Sequence, residues 1–342
     1  MPVKTTSTKK LFPQAKKNVS LAPYTTFGLG GRAEYLLVTR DPQKVVTAIQ
    51  TAKKNNFPYY LMGGGSNIIC NDQSTIKGLV VVYDDRNGSS PVEIQTKGRT
   101  ITCACCLPLS KLVALSIAKG FAGLESLTDI PGTVGGALVG NAGAYGHAIA
   151  ETLDSVLIFD GSPARRASSS AKALRDKTAK QEKTKRWISR KECQFSYRDS
   201  IFKRKNYALL SAKFKFNQGD KKDLQKMAAS ITADRLVKYG HSKSPGSFFK
   251  NILVSKVSKK SLALVDQAKI IDGKIPTGYL LATVGAKGMK LGGLKIADYH
   301  GNLIINQGGA TFRDVTNLVK ILKDRVQQKF GIKLEEEVKY LI

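Results

Sequence analysis

The stretch Ile130-Pro131-Gly132-Thr133-Val134-Gly135-Gly136-Ala137, continued by Gly140-Asn141-Ala142-Gly143-Ala144-Tyr145-Gly146, decides how the chain is read. Glycine lets backbone N–H groups come close to an anion, because no Cβ blocks the turn and a positive φ costs it nothing. Two more glycine loops stand upstream, Gly28-Leu29-Gly30-Gly31 and Gly63-Gly64-Gly65-Ser66-Asn67. A pyrophosphate needs several backbone donors, and loops arriving from different strands supply them. None of the three fits G-x-G-x-x-G between strand and helix with an acidic residue about 20 positions on, and no G-x-x-x-x-G-K-[ST] loop is present. A single loop of this kind is usually only a turn. Three of them, two with Ser or Thr and Asn beside the glycines, point to a large phosphate-bearing cofactor.

Working outward, residues 1–18 read as a basic tail without periodicity. Ala33–Val38 reads as a strand, and Asp41-Pro42 opens a helix whose Val45, Val46, Ile49 and Ala52 share one buried face. Pro58–Met62 is a strand running into the second glycine loop, with Ile68–Cys70 after it. Strands follow at Val92–Thr96 and Thr100–Cys106, then an apolar helix from Leu109 to Lys119 that leads into the third loop. Further strands are expected at Cys193–Tyr197 and Tyr207–Phe216, and a helix at Leu224–Leu236. Asp314–Phe330 is amphipathic through Val315, Leu318, Val319, Leu322 and Val326, with Gly331 as its stop. The expected division is an N-terminal cofactor part over 19–217, in two lobes split near 82–90, and a C-terminal part over 218–342.

With 55 Lys+Arg against 26 Asp+Glu the net charge is +29, which admits polyanionic ligands of either kind, nucleic acid or phosphate-bearing small molecules. The charge is not laid out as a recognition helix or a stripe interleaved with aromatics. Its one dense cluster, Gly161–Lys191, reads as a solvated loop or frayed helix inserted in the chain. No apolar run approaches the ~18–20 residues of a membrane span, and the N-terminus lacks the apolar core of a secretory signal, so a cytoplasmic protein is expected. The five cysteines are odd in number and scattered, unlike a disulfide framework. Cys103-Ala104-Cys105-Cys106 has no second ligand pair at metal spacing and reads as small apolar residues in a strand. No metal site is expected.

These loops belong to a longer series of matches. The chain resembles the UDP-N-acetylenolpyruvoylglucosamine reductase (UDP-N-acetylmuramate dehydrogenase) family nearly end to end: Thr25–Gly31, Met62–Asn67, Gly123–Ala137 and Asn141–Gly146. The series goes on through Phe195-Ser196-Tyr197-Arg198-Asp199-Ser200-Ile201-Phe202-Lys203 and Pro245-Gly246-Ser247-Phe248-Phe249-Lys250-Asn251. It ends with Lys287–Gly293, His300-Gly301-Asn302 and Leu334-Glu335-Glu336-Glu337-Val338-Lys339. The resemblance implies an α+β fold, with a two-lobed FAD-binding domain of the vanillyl-alcohol-oxidase (PCMH) type and a smaller C-terminal substrate domain. It implies FAD on Gly63, Gly64, Gly65, Ser66, Asn67, Pro131, Gly132, Thr133, Gly135, Gly136, Asn141 and Gly143. It implies NADPH and UDP-N-acetylglucosamine enolpyruvate as substrates, and no specific nucleic-acid partner.

The resemblance also assigns roles: Ser247 the proton donor to C2, Arg198 the partner of the substrate carboxylate, and Glu337 the residue that assists the enol intermediate. Tyr197, Lys250 and Asn251 are expected at the substrate. The residue types suit the chemistry. Hydride addition spreads charge into a carboxylate, which a guanidinium fork stabilises, and a neutral hydroxyl donates a proton without adding a competing charge. Because a hydroxyl is a weak acid, Lys250 is expected to support its alkoxide or relay a proton. Taken singly, Arg198 reads as an ion-pair residue, Ser247 as a turn residue, Glu337 as part of a solvated face and His300 as a structural histidine. Their co-occurrence is what lifts the first three.

Departures from the family pattern are few. The spacing from Arg198 to Ser247 matches the subgroup without an extra tyrosine-bearing loop, Ile252 replaces a common proline, and Lys339 stands where arginine is usual. Asp129 sits where a small residue is common, close to the expected flavin site. Two rival readings remain: a flavin oxidase of the same fold, for which His147 is the histidine nearest the loops, and a nucleic-acid-binding protein on an inactive enzyme scaffold.

Overall fold

A computed structural model of the chain describes residues 11–86, 88, 94–161, 184–240 and 242–342. They form two compact units. The first comprises the described residues within Met1–Val19, Ala33–Gly64 and Lys77–Thr232; the second comprises those within Ser20–Arg32, Gly65–Ile76 and Ala233–Ile342.

In the first unit, a four-stranded sheet runs in the order Lys16–Ser20, Arg32–Thr39, Thr75–Tyr83, Tyr59–Met62. Tyr59–Met62 lies parallel to Thr75–Tyr83, with Tyr59 opposite Leu79 and Met62 opposite Val82. Parallel neighbours need a crossover. The helix before this pair, Pro42–Lys54, starts where the sequence signals: the Asp41 carboxylate accepts from the Gln43 N–H at 2.7 Å, proline opens the first turn, and two lysines close the last. Its buried Val45, Val46, Ile49 and Ala52 join Tyr35, Leu37, Leu79 and Val81 in one core.

A second sheet of five antiparallel strands runs Lys185–Ser189, Leu153–Phe159, Ala208–Lys215, Thr100–Ala104, Ile94–Lys97. Ile101 and Cys103 alternate inward along Thr100–Ala104, the period of two that strands impose. The helix Leu109–Ala118 buries Leu109, Leu112, Val113 and Ile117 in the same core.

The structure differs from the sequence expectation in three places. The tail does not extend through residue 18: Phe12 is buried against Tyr35 and Phe57, and Lys16–Ser20 is a strand, because one aromatic anchor and backbone pairing outweigh the basic composition. Cys193–Tyr197 is not a strand. It is a run of turns with one bridge, Ser196 to Asp199, whose two backbone bonds close on themselves and not on a neighbouring strand. Most of the basic cluster (162–183) lies outside the described residues, but part of its described remainder is a strand and not loop or helix. Lys185–Ser189 is the edge strand of the second sheet, with Ile188 turned inward opposite Val156.

In the second unit, Ile68–Cys70 pairs in parallel with Lys339–Leu341, Ile69 opposite Tyr340. That pairing draws Gly65–Ile76 into the unit with the C-terminus, so the compact units cut across the linear division at 217/218. A three-stranded meander, Lys290–Leu291, Leu294–Ile296 and Ile304–Asn306, stands beside the helix Phe312–Phe330 in the sequence. The helix begins with a reciprocal cap, Asp314 N–H to the Thr311 hydroxyl and Thr311 N–H to the Asp314 carboxylate, and ends at Gly331 with φ +66°. Its Val315, Leu318, Leu322 and Val326 share a core with Phe27, Ile69, Phe248, Phe249 and Leu294. Among the described residues no helix is long and apolar enough to cross a membrane.

Candidate functional site

In the first unit, two glycine loops pack directly against each other. A Cβ at Gly63 would stand 2.3 Å from Thr133 Oγ1, and one at Gly64 would stand 2.9 Å from Gly132 Cα. No larger residue fits without a shift. Thr133 caps the helix Val134–Gly140 by accepting from the Gly136 N–H at 3.2 Å. The Val134 and Gly135 N–H groups already donate to the Leu107 and Cys105 carbonyls at 2.9 and 2.8 Å. The sequence suggested that this whole glycine run faces an anion. The structure instead spends the N–H groups of Val134, Gly135 and Gly136 on the fold, and packs Gly63 and Gly64 against Thr133 and Gly132.

The helix ends at Asn141, whose φ is +44°. Its Nδ2 donates to the Ser196 carbonyl at 2.9 Å, while its Oδ1 is buried without a partner among the described residues. A buried acceptor without a donor costs about 1–3 kcal/mol unless a ligand supplies one. Arg86, which no sequence signal marked, pairs with Asp84 and donates from Nη2 to the Gly64 carbonyl at 3.0 Å. Side-chain-free loops, a cation beside them and a buried acceptor suit a large phosphate-bearing cofactor with hydrogen-bonding ring edges. FAD is such a group. Asp129, expected to burden the flavin site, has φ +57°, and its carboxylate accepts from the Thr232 hydroxyl at 2.6 Å.

Arg198 occupies the corner of a tight turn. Ser196 and Asp199 exchange both backbone hydrogen bonds at 3.1 Å, and Arg198 sits between them with φ +53°. Its Nη2 donates to the Gly143 carbonyl at 2.7 Å, and its Nη1 lies 3.5 Å from the Asn141 carbonyl. Its guanidinium is 5.7 Å from the Tyr197 ring centroid. A non-glycine residue in the left-handed region costs on the order of 1–2 kcal/mol and marks a place where geometry is held for a reason. The sequence named Arg198 but gave no sign of this turn.

In the second unit, Gly65 has φ +65°, and a Cβ there would fall 1.9 Å from the Tyr24 carbonyl oxygen. Gly65 also accepts from the Thr26 N–H at 3.3 Å, and the Thr26 hydroxyl lies 3.3 Å from the Ser66 carbonyl. The Asn67 side chain is committed to protein: Nδ2 donates to the Glu337 carbonyl at 3.0 Å. Ser247 and Glu337 lie on neighbouring extended segments. Ser247 bridges to Leu303, and the next residue, Phe248, accepts from the Glu337 N–H at 2.8 Å. Asn302 clamps the same segment on its other side, with Oδ1 accepting from the Phe249 N–H at 2.9 Å and Nδ2 donating to the Phe249 carbonyl at 2.8 Å. Fully buried Phe248 and Phe249 anchor it.

Ser247 opens into a cavity of about 430 Å³ lined also by Asn251, Tyr279, Lys287, His300 and Asn302, a size that suits a small ligand. His300 Nδ1 accepts from the Asn302 N–H at 3.2 Å, which leaves the proton on Nε2. Burial, and then the nearby Lys238 and Lys287 charges, push its pKa below the ordinary 6.5, so His300 is a neutral donor in this cavity. Asn251 Oδ1 accepts from the Thr277 N–H at 3.1 Å. The Lys250 ammonium pairs with the Glu335 carboxylate, and its backbone N–H donates to the Glu335 carbonyl at 2.9 Å. Tyr279 and Asn302 were missed as lining residues. Asn302 stood in a quoted motif, but only its register against Phe249 reveals its task.

Comparison with known proteins bears on both units. Residues 33–162 match the model of the FAD binding domain family, and residues 238–341 match that of the UDP-N-acetylenolpyruvoylglucosamine reductase C-terminal domain. The UDP-N-acetylenolpyruvoylglucosamine reductase of Solibacter usitatus is 37% identical over 323 residues, covering 94% of this chain and 95% of that one. The reductase of the same name from Alkaliphilus oremlandii is 29% identical, covering 92% and 90%. Among solved structures, the UDP-N-acetylenolpyruvylglucosamine reductase of Thermus caldophilus superposes with a TM-score of 0.68 at 25% identity, covering 95% of this chain and 99% of that one. Matched nearly end to end by such relatives, and over residues 33–162 by the FAD binding domain, the chain belongs to the UDP-N-acetylenolpyruvoylglucosamine reductase family of FAD-dependent oxidoreductases.

Proposed function

We propose that the protein reduces the enolpyruvyl group of UDP-N-acetylglucosamine enolpyruvate to give UDP-N-acetylmuramate for peptidoglycan synthesis, in the cytoplasm and with NADPH as reductant. The observation that carries this reading is Ser247, facing a cavity that also holds Lys287 and a neutral His300, one hydrogen-bonded segment away from Glu337. Gly63, Gly64 and Gly132, with Asn141 as acceptor, would hold FAD, which when bound supplies the hydride that reaches the substrate.

Arg198 pairs with the substrate carboxylate. As C3 gains hydride, charge grows toward that carboxylate, so the guanidinium binds the transition state more tightly than the ground state. Ser247 then gives its hydroxyl proton to C2: the O–H bond breaks, the C2–H bond forms, and the alkoxide recovers a proton from solvent. Glu337 assists the enol. Lys250, paired with Glu335, holds the end of the serine segment beside the substrate, while Tyr197 and Asn251 orient the substrate. The lysine-bearing cavity suits a diphosphate.

An anaerobic absorbance titration tests the reading. NADPH should bleach the flavin band of the purified protein, and the enolpyruvyl UDP-sugar should restore it. Reoxidation by oxygen but not by the sugar would favour an oxidase. Absence of flavin after reconstitution with FAD would overturn the reading.

A further inference from the structure

We infer that Lys203 is a positioning residue for Arg198, holding the strained turn from which the guanidinium reaches its target. The inference rests on the reading of Arg198 as partner of the substrate carboxylate. Lys203 Nζ lies 2.6 Å from the Arg198 carbonyl oxygen, a charge-assisted hydrogen bond across five residues. The need for it follows from the backbone. At φ +53° the two-residue turn closes through Ser196 and Asp199, and that pairing makes no use of the Arg198 carbonyl. The ammonium gives that carbonyl a donor, favouring the left-handed conformer over the extended one that a non-glycine residue prefers.

The lysine is itself well placed for this. It ends the short 3₁₀ turn Ile201–Lys203, whose Phe202 is buried, and the Ser200 hydroxyl ties the start of that turn to the Val139 carbonyl at 2.8 Å. Asp199 pairs with Arg204 on the outer side. The turn is therefore fixed at its base by Ser200 and Phe202 and at its corner by Lys203. Arg198 in turn reaches the Gly143 carbonyl at 2.7 Å, beside the helix end at Asn141. If the corner relaxes, the guanidinium leaves that register while the glycine loops stay as they are. The consequence is selective: Lys203 serves the step in which the sugar is reduced and not the step in which NADPH reduces the flavin.

The test uses the FAD-loaded enzyme with Lys203→Met, which keeps the apolar stem, and Lys203→Arg, which keeps a charged donor. Stopped-flow absorbance reads flavin reduction by NADPH and flavin reoxidation by the enolpyruvyl sugar separately. Calorimetry reads sugar affinity for the oxidised enzyme without NADPH. For Lys203→Met, reduction should stay within about twofold, while reoxidation falls about ten- to a hundredfold and sugar affinity weakens, the loss expected for a charged hydrogen bond. Lys203→Arg should recover most of both. Equal slowing of the two half-reactions, or slowing of neither, overturns the inference. Should the Met variant fail to hold flavin, Lys203→Gln is read by the same two criteria. Arg198→Lys is the control: if it reoxidises at the parent rate, the reading of Arg198 fails. If it is slow while Lys203→Met is not, only the inference fails.

Discussion

Asn67 and Glu337, 270 positions apart, are joined directly: Asn67 Nδ2 donates to the Glu337 carbonyl at 3.0 Å. The Asn67 carbonyl accepts from the Lys339 N–H at 2.9 Å, so this one residue brackets the segment that presents Glu337. Asn67 was expected only as a cofactor residue. Its amide also acts on the placement of an acid. Asn67→Ala should therefore lower turnover about tenfold and cost about 1 kcal/mol of stability, the worth of one intramolecular hydrogen bond. Steady-state kinetics and a denaturant midpoint measure the two effects.

Gly65 tests the loop itself. With φ +65° and a Cβ that would lie 1.9 Å from the Tyr24 carbonyl, Gly65→Ala meets both strain and a backbone clash. We expect a loss of about 2–4 kcal/mol and a lower flavin-to-protein ratio after purification. An alanine variant with parent stability and full flavin would show that the loop rearranges freely.

Ser247→Ala removes the proposed proton donor and leaves a small side chain between Gly246 and buried Phe248. Reduction by NADPH should be unchanged, and reoxidation by the sugar should fall about 10²–10⁴-fold. Stopped-flow traces of the two half-reactions give the answer in one preparation.

His300 predicts a pH dependence of stability. Its pKa is lowered in the folded protein, first by burial and then by Lys238 and Lys287, so the unfolded chain binds its proton more readily. Stability from this group is present above the unfolded value of 6.5 and is lost as the pH falls below it toward the folded pKa. His300→Gln should flatten that slope between neutral pH and the acid limb. Melting temperatures across that range, parent against variant, measure it.

The thiols are predicted to be inert. Burial pushes Cys70, Cys103 and Cys193 up to about 12 and Cys106 to about 11, and raises Cys105 well above its ordinary value. The thiolate is the reactive form, and all five side chains are buried. A thiol reagent should label fewer than one cysteine in the native protein and all five after denaturation. Rapid native labelling would mean that the cores open locally.

Much of the local structure was legible. Asp41-Pro42 marked a helix start, Gly331 a helix stop, and the alternation around Ile101 and Cys103 a strand. The Cys193–Tyr197 run failed because apolar and aromatic residues at strand spacing also suit a turn when Arg198 adopts a left-handed conformation. Phe12 failed in the opposite way: one buried ring inside a basic stretch leaves no periodic trace. The candidate site residues stand out as types in ordered motifs; Lys203 and Asn302 lie in such motifs with no visible task, and Arg86 lies in none.

By itself the sequence determined most of the elements and the inventory of chemistry, because capping, φ preference and hydrophobic period act over a few neighbouring residues. Only the tertiary structure decided which glycines approach a partner backbone, that Asn67 reaches Glu337, that Asn302 clamps Phe249, and that Arg198 bends to positive φ. Each of these depends on atoms brought together from distant parts of the chain, where desolvation and packing set the energy and local propensity does not.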